Sequence, residues 1–194
     1  MNNYYLAQIT KDPETLDYLS RDKNRKVRRR VARNPNTTPE TLDYLSKDED
    51  NVVRYSVADN SNTSPETLKK MSIDEDYGVR WRVAGNLNTI PETLDYLSKD
   101  EYVSVRCRVA ENPNTTPETL DYLSKDEDNV VRYSVADNSN TSSETLKQMV
   151  IIDEYCDYIK SLIKDNPNCS EETKRYLLAV EVVEDIMCNV EGKI

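Results

Sequence analysis

Apolar side chains return along this chain at a fixed interval of 26 residues. Leu16, Leu42, Leu68, Leu94, Leu120 and Leu146 form one column, and Leu19, Leu45, Met71, Leu97, Leu123 and Met149 a second. Val27, Val53, Val79, Val105 and Val131 form a third. Val31, Val57, Val83, Val109 and Val135, each followed by Ala, form a fourth. The polar frame keeps the same period: Pro-Glu-Thr-Leu begins at Pro13, Pro39, Pro65, Pro91 and Pro117, and Ser143 opens the variant Ser-Glu-Thr-Leu. Leucines three apart and valines four apart lie on one face of a helix. A period of this length predicts a solenoid, in which each unit buries its apolar face only against its neighbours.

Residues 34–59 show how one unit is built. Asn34-Pro35-Asn36 reads as a turn. Thr37 with Glu40 reads as a capping box, and Pro39 sits in the first helical turn, where its missing N–H costs nothing. The spacing predicts a helix to about Lys47 with Leu42 and Leu45 on one face. Asp48-Glu49-Asp50-Asn51 breaks it and caps a second, short helix carrying Val53, Val57 and Ala58. That second helix reads as a single turn or partly 3₁₀. The expectation is an all-α, right-handed solenoid of about six to seven two-helix repeats. Residues 1–12 form an N-terminal cap, residues 13–142 five tandem repeats, and residues 143–194 divergent repeats. A longer final helix, from Ser170-Glu171-Glu172 to about Val190, carries Leu177, Leu178, Val182, Val183, Ile186 and Met187 and either caps the array or joins two copies.

An Asp precedes an Arg by six residues in every full repeat: Asp22 and Arg28, Asp48 and Arg54, Asp74 and Arg80, Asp100 and Arg106, Asp126 and Arg132. The sixth unit offers Glu154 and Lys160. This reads as a structural ladder of charge-assisted pairs, each joining a turn to its own helix or to the next repeat. A row of arginines facing a phosphate backbone would not bring a matched acid at every step.

The run Val-Arg-x-x-Val-Ala-x-Asn-Pro-Asn-Thr-x-Pro-Glu-Thr-Leu stands at Val27 to Leu42 and at Val105 to Leu120. It resembles the leucine-rich repeat variant of bacteria, with Ser61, Leu87 and Ser139 in place of the turn Pro. The Asp–Arg pair is similar to that of HEAT repeats. The resemblance covers roughly residues 10–178 and implies a right-handed superhelix of α helices alternating with 3₁₀ or short α helices. It implies no reaction. Some members of that family carry an N-terminal iron–sulfur cysteine cluster, but no Cys precedes Cys107 here, so that cofactor is not carried over.

Composition narrows the function. The net charge of −10 is uneven: residues 1–37 hold nine Lys and Arg against four Asp and Glu, and residues 38–194 are net acidic by 15. The acidic body disfavours non-specific nucleic-acid binding outside the first repeat. His is absent, so the commonest general base and metal ligand is missing. A zinc site would need all four cysteines, Cys107, Cys156, Cys169 and Cys188, which show no metal-ligand spacing and read as idle thiols. No cofactor or metal is expected. With no signal peptide or apolar run of about 18 residues, the expected location is the cytoplasm, away from membranes.

Differences between the repeats mark where a partner would sit. Second-helix positions vary as Arg29-Arg30, Tyr55-Ser56, Trp81-Arg82, Cys107-Arg108 and Tyr133-Ser134, and the residue after Ala as Arg33, Asp59, Gly85, Glu111 and Asp137. A surface row of Tyr, Trp and Arg has the composition of interface hot spots. Trp81, Tyr55, Tyr133, Arg82 and Arg108 are thus the candidate protein-binding residues, with packing between repeats as the alternative. Tyr18, Tyr44, Tyr96 and Tyr122 adjoin the Leu columns and read as half-buried. Arg25, Lys26, Arg29, Arg30 and Arg33 form a basic patch. It suits nucleic acid, an acidic protein, the acidic end of another copy, or simply solvent. Residues 34–64 and 112–142 are identical, so a three-repeat block is duplicated.

The reading is a non-catalytic repeat scaffold that binds another protein through the second helices. The alternatives are a protein that binds or mimics nucleic acid, and, least favoured, an enzyme like the helical-repeat DNA glycosylases. Homo-oligomers are compatible with the opposite charge of the two ends.

Overall fold

The computed structural model describes residues 2–152 and 157–180. In chain order the helices are α1 (Asn3–Ile9), α2 (Pro13–Leu19), α3 (Arg25–Ala32), α4 (Pro39–Leu45), α5 (Asn51–Ala58), α6 (Pro65–Met71), α7 (Tyr77–Gly85), α8 (Pro91–Leu97) and α9 (Val103–Glu111). They continue as α10 (Pro117–Leu123), α11 (Asn129–Asp137), α12 (Ser143–Ile152) and α13 (Asp157–Asp165), and residues 171–180 are also helical. No strand occurs among the described residues. The chain is a helical solenoid, divided into two compact units, residues 1–114 and 115–194.

Local chemistry sets each boundary. Proline opens the first helix of a repeat at its N-terminal position. The cap is Thr38 rather than Thr37: the Thr38 hydroxyl accepts from the Thr41 amide, and Ser64 and Thr116 do the same. Thr37 is buried and donates to the Val31 carbonyl at 2.6 Å, so the capping-box reading of Thr37 and Glu40 is corrected. The first helix ends at Leu45, two residues short of Lys47. Asp50 caps the second helix through the Val52 and Val53 amides. That helix is a regular α helix of eight or nine residues, not a 3₁₀ turn.

The four apolar columns are the core. Leu16, Leu42, Leu68, Leu94, Val31, Val57, Val83 and Val109 are all fully buried in the first unit. Each such side chain contributes about 1.5–3 kcal/mol, too little in one repeat to order 26 residues, so stacking supplies the rest. In the first unit α1, α3, α5, α7 and α9 pack directly on one another, while the first helices touch chiefly the second helices beside them. The second helices therefore form the closely spaced layer and the first helices the wider one. In the second unit α11 packs on α13 in the same manner.

Polar side chains lock the layers. Asn60 donates from Nδ2 to the carbonyls of Ala32 (2.7 Å) and Asn34 (3.1 Å) in the preceding repeat and accepts from the Asn62 amide. Asn34, Asn86 and Asn112 repeat this in the first unit, and Asn166 in the second. All are buried. Thr63 and Thr89 hold the same turn by donating to Val57 and Val83. The Asn-Pro-Asn segment is thus a turn that also clamps the repeat before it.

The charged ladder is built differently from its sequence spacing. Arg28 forks onto the Asp48 carboxylate of the following repeat at 2.6 and 2.9 Å, Arg54 onto Asp74 at 2.7 and 2.9 Å, and Arg80 onto Asp100 at 2.6 and 3.1 Å. The acid six residues upstream contributes its main-chain carbonyl instead, as Asp22 does to Arg28, Asp48 to Arg54, Asp74 to Arg80, Asp100 to Arg106 and Asp126 to Arg132. The Asp22 carboxylate, with no arginine from an earlier repeat, takes the Asn3 amide at 2.8 Å. One fork therefore holds two repeats together. Of the sixth pair, Glu154 lies outside the described residues, and Lys160 is buried beside Asp157 at 3.6 Å.

A second tie sits between first helices. Asp43 accepts from Lys70 of the next repeat at 2.8 Å, from Lys47 at 3.1 Å and from the Thr67 hydroxyl at 3.1 Å. Lys70 foremost, then Lys47, holds its carboxyl down at about 2, from 3.8. A depressed carboxyl stabilises the fold fully above its unfolded value and loses that contribution as pH falls through the folded value. Asp43→Asn should therefore be less stable than the parent at neutral pH, and the gap should close between about pH 4 and pH 2. Denaturant midpoints of both proteins across that range check this; a gap independent of pH would refute it.

Candidate functional site

On a second helix the inward positions are fixed by the two valines and the alanine, which leaves the positions corresponding to 52, 55, 56 and 59 on the other side. In the first unit the structure gathers four of the candidate residues there. The Arg82 guanidinium lies 4.5 Å from the Tyr55 ring and 4.5 Å from the Trp81 ring, and Arg108 lies 4.9 Å from Trp81 on the next repeat. Tyr55, Trp81, Arg82 and Arg108 are each half-buried. The result is a continuous aromatic–guanidinium stack crossing α5, α7 and α9, with each contact worth about 0.5–1 kcal/mol.

Carboxylates orient the two arginines. Arg82 Nη1 donates to Asp59 at 2.8 Å, and Arg108 Nη1 to Glu111 at 2.8 Å. The Nε atoms of both arginines are buried and have no hydrogen-bond partner. Gly85 makes the packing possible, since a Cβ there would stand 2.3 Å from Arg108 Nε. A cavity of about 230 Å³ opens beside the stack, lined by Asp59, Arg82, Gly85, Leu87 and Arg108. Leu87, in the turn, is 68% exposed at its rim.

Tyr133 belongs to the second unit, where it is half-buried on α11 and packs edge-on against Tyr158 with ring centroids 4.9 Å apart. Cys107 is half-buried, and its thiol faces the Glu111 carboxylate at 3.6 Å. Burial pushes the Cys169 thiol up. Cys156 and Cys188 lie outside the described residues, among which no cluster of His, Cys, Asp and Glu is arranged to hold a metal. No helix of the described residues is long and apolar enough to cross a membrane.

The basic patch resolves into two parts. Arg25 turns to the Asp50 carboxylate at 2.6 Å and leaves the patch. Lys26, Arg29, Arg30 and Arg33 line a second cavity of about 230 Å³ with Tyr4 of α1, whose hydroxyl accepts from Arg30 and whose ring lies under that guanidinium.

The reading of Tyr18, Tyr44, Tyr96 and Tyr122 is corrected. They are 75%, 46%, 56% and 52% exposed. Tyr44 stands two residues, or about 200°, beyond Leu42, which carries the ring to the opposite side of the helix. Arg21 covers the Tyr44 ring at 4.4 Å. A further feature has no counterpart in the sequence reading: Tyr77, the first residue of α7, and Tyr102, just before α9, stack with centroids 4.6 Å apart and are 49% and 43% exposed. Its sign in the sequence is at Tyr102, where the other repeats carry Asn24, Asp50, Asp76 and Asp128.

No family model and no curated protein matches the chain. Among solved structures it is similar to one described as a leucine-rich repeat variant with a novel repetitive protein structural motif. The two are 27% identical, the match covers 84% of this chain and 79% of the other, and the TM-score is 0.38.

Proposed function

We propose that this helical repeat protein is a non-catalytic scaffold that holds another protein on the second-helix layer, with Trp81 at the centre of the contact. The observation that supports this reading is the Tyr55–Arg82–Trp81–Arg108 stack beside an open cavity. Rings and guanidinium groups clamped in this way lose little conformational freedom when a partner lands, which is where binding free energy is otherwise lost. The arginines are held by one carboxylate each and keep further N–H groups for a partner. Tyr133 repeats the chemistry of Tyr55 in the second unit, within the duplicated run.

Affinity capture from native lysate tests this with three variants. Trp81→Ala removes the centre of the stack. Gly85→Ala keeps Trp81 and the fold, because the crowded atoms belong to the Arg108 side chain and not to backbone, yet it forces that guanidinium off the ring. Tyr18→Ala, on the outer layer, is the control. A protein retained by the parent and by Tyr18→Ala should fall at least tenfold with Trp81→Ala and severalfold with Gly85→Ala. Equal capture by all four proteins would remove the stack from the reading.

A nucleic-acid role draws on Lys26, Arg29, Arg30 and Arg33. Residues 38–194 oppose it, since their net charge of −15 repels a polyanion that extends past the first repeat. The same charge would suit a mimic of nucleic acid, but no local arrangement in the structure favours that reading.

A further inference from the structure

We infer that the α3 face formed by Lys26, Arg29, Arg30 and Arg33 is the docking site for an acidic segment of the protein partner. The inference rests on the scaffold reading above and adds the partner's chemistry.

The four cations stand at i, i+3, i+4 and i+7, one face of a helix. Like charges at these spacings repel and weaken the helix that carries them. The equivalent positions of the other second helices in this unit avoid such a cluster: Val52, Tyr55, Ser56 and Asp59; Gly78, Trp81, Arg82 and Gly85; Ser104, Cys107, Arg108 and Glu111. Elsewhere in the unit each arginine is engaged. Arg21, Arg25, Arg28, Arg54, Arg80, Arg82 and Arg108 pair with carboxylates, and Arg106 donates to a carbonyl. Among the described residues no carboxylate pairs with Lys26, Arg29, Arg30 or Arg33. Arg30 alone has a polar side-chain partner, the Tyr4 hydroxyl. In a chain of net charge −10, four unneutralised cations around one cavity are a local exception.

The geometry suits carboxylates on an extended chain. Lys26 to Arg30, and Arg29 to Arg33, each rise about 6 Å along the helix. Alternate side chains of an extended peptide lie about 6.6 Å apart on one side, so two acids two residues apart meet two steps of this face. Arginine forks take carboxylates in a bidentate fashion. The whole face runs only about 10 Å, and the next repeat carries Asp59 at the position of Arg33 and Asp50, the partner of Arg25, just before α5, which favours a short acidic stretch over a continuous phosphate backbone.

Fluorescence anisotropy on the full chain tests the assignment with three labelled probes: a decapeptide alternating Glu and Ser, its Gln and Ser counterpart, and a ten-residue oligothymidylate. The Glu peptide should bind at least tenfold more tightly than the Gln peptide and more tightly than the oligonucleotide. Arg29→Glu combined with Arg33→Glu should weaken the Glu peptide at least tenfold. Lys11→Glu combined with Lys69→Glu, the same change in net charge at exposed sites off this face, should stay within threefold of the parent. Circular dichroism verifies that both double variants remain helical. Equal losses in the two double variants would show that net charge alone is read, and tighter binding of the oligonucleotide would assign the face to nucleic acid; either overturns the inference. Trp81→Ala should leave peptide affinity within threefold, so failure of the Trp81 surface shows in the capture experiment and not here.

Discussion

Asn60→Ala is expected to lower unfolding free energy by about 3–4 kcal/mol, although it removes only one small polar side chain. The Asn60 amide is the donor for two buried carbonyls, those of Ala32 and Asn34, and its oxygen accepts the Asn62 amide. Removing it strands two acceptors away from water, at about 1–3 kcal/mol each. The damage falls between repeats, because both carbonyls belong to the repeat before. In an array whose stability is a sum over nearest neighbours, weakening one interface also weakens cooperativity. A reduced denaturant slope, or a separate early transition, should therefore accompany the loss. Asn62→Ala is the comparison: Asn62 is exposed, and its amide bonds to the carbonyls of exposed Pro35 and buried Thr37, so it strands one acceptor instead of two and should cost about 1–2 kcal/mol. Equal effects of the two substitutions would mean that the buried ladder does not hold the layers together.

The contrast between these two asparagines also shows what a repeat sequence discloses. The apolar columns were legible because helix spacing alone decides which side chains face inward, and Leu42, Leu45, Val53, Val57 and Ala58 are all in the core. Asn60 was legible only as turn chemistry. Its partners lie 26 and 28 residues back, and no local rule supplies that register. The same limit hid the carboxylate of the ladder: spacing within one repeat suggests Asp48 with Arg54, while stacking delivers Asp74. Helix phase, by contrast, is local: Tyr44 adjoins Leu45 in sequence yet stands about 200° round the helix from Leu42, which puts its ring outside. At the candidate site, the departures of Trp81, Arg82 and Arg108 from the repeat pattern were visible in the sequence. That Arg82 and Arg108 both pack on the Trp81 ring, and that Gly85 leaves room for Arg108, follow only from the way adjacent second helices are brought together.

Arg54→Ala is expected to be the most damaging single change on the ladder, at about 3–5 kcal/mol. Arg54 and Asp74 have side chains only 11% and 9% exposed. Deleting the guanidinium leaves the Asp74 carboxylate in that half-dry site with only its bond from the Asp76 amide, and the Asp48 and Glu49 carbonyls lose their donor. Much of this cost is the penalty of an orphaned charge, not the net worth of the pair, since charges buried in a fold surrender hydration that their mutual attraction only partly returns. Arg54→Met with Asp74→Leu should therefore be well above Arg54→Ala in stability and within about 2 kcal/mol of the parent. Such a result would make the ladder a device for register more than for stability: a fork that fits one acid, in one neighbour, at one offset along the stack. Raising salt to about 1 M should leave the Arg54→Ala deficit nearly unchanged, because a buried pair is poorly screened. A deficit that shrinks to below about 1 kcal/mol in salt would instead place Arg54 among ordinary surface ion pairs. Register would then rest on the asparagine clamps alone.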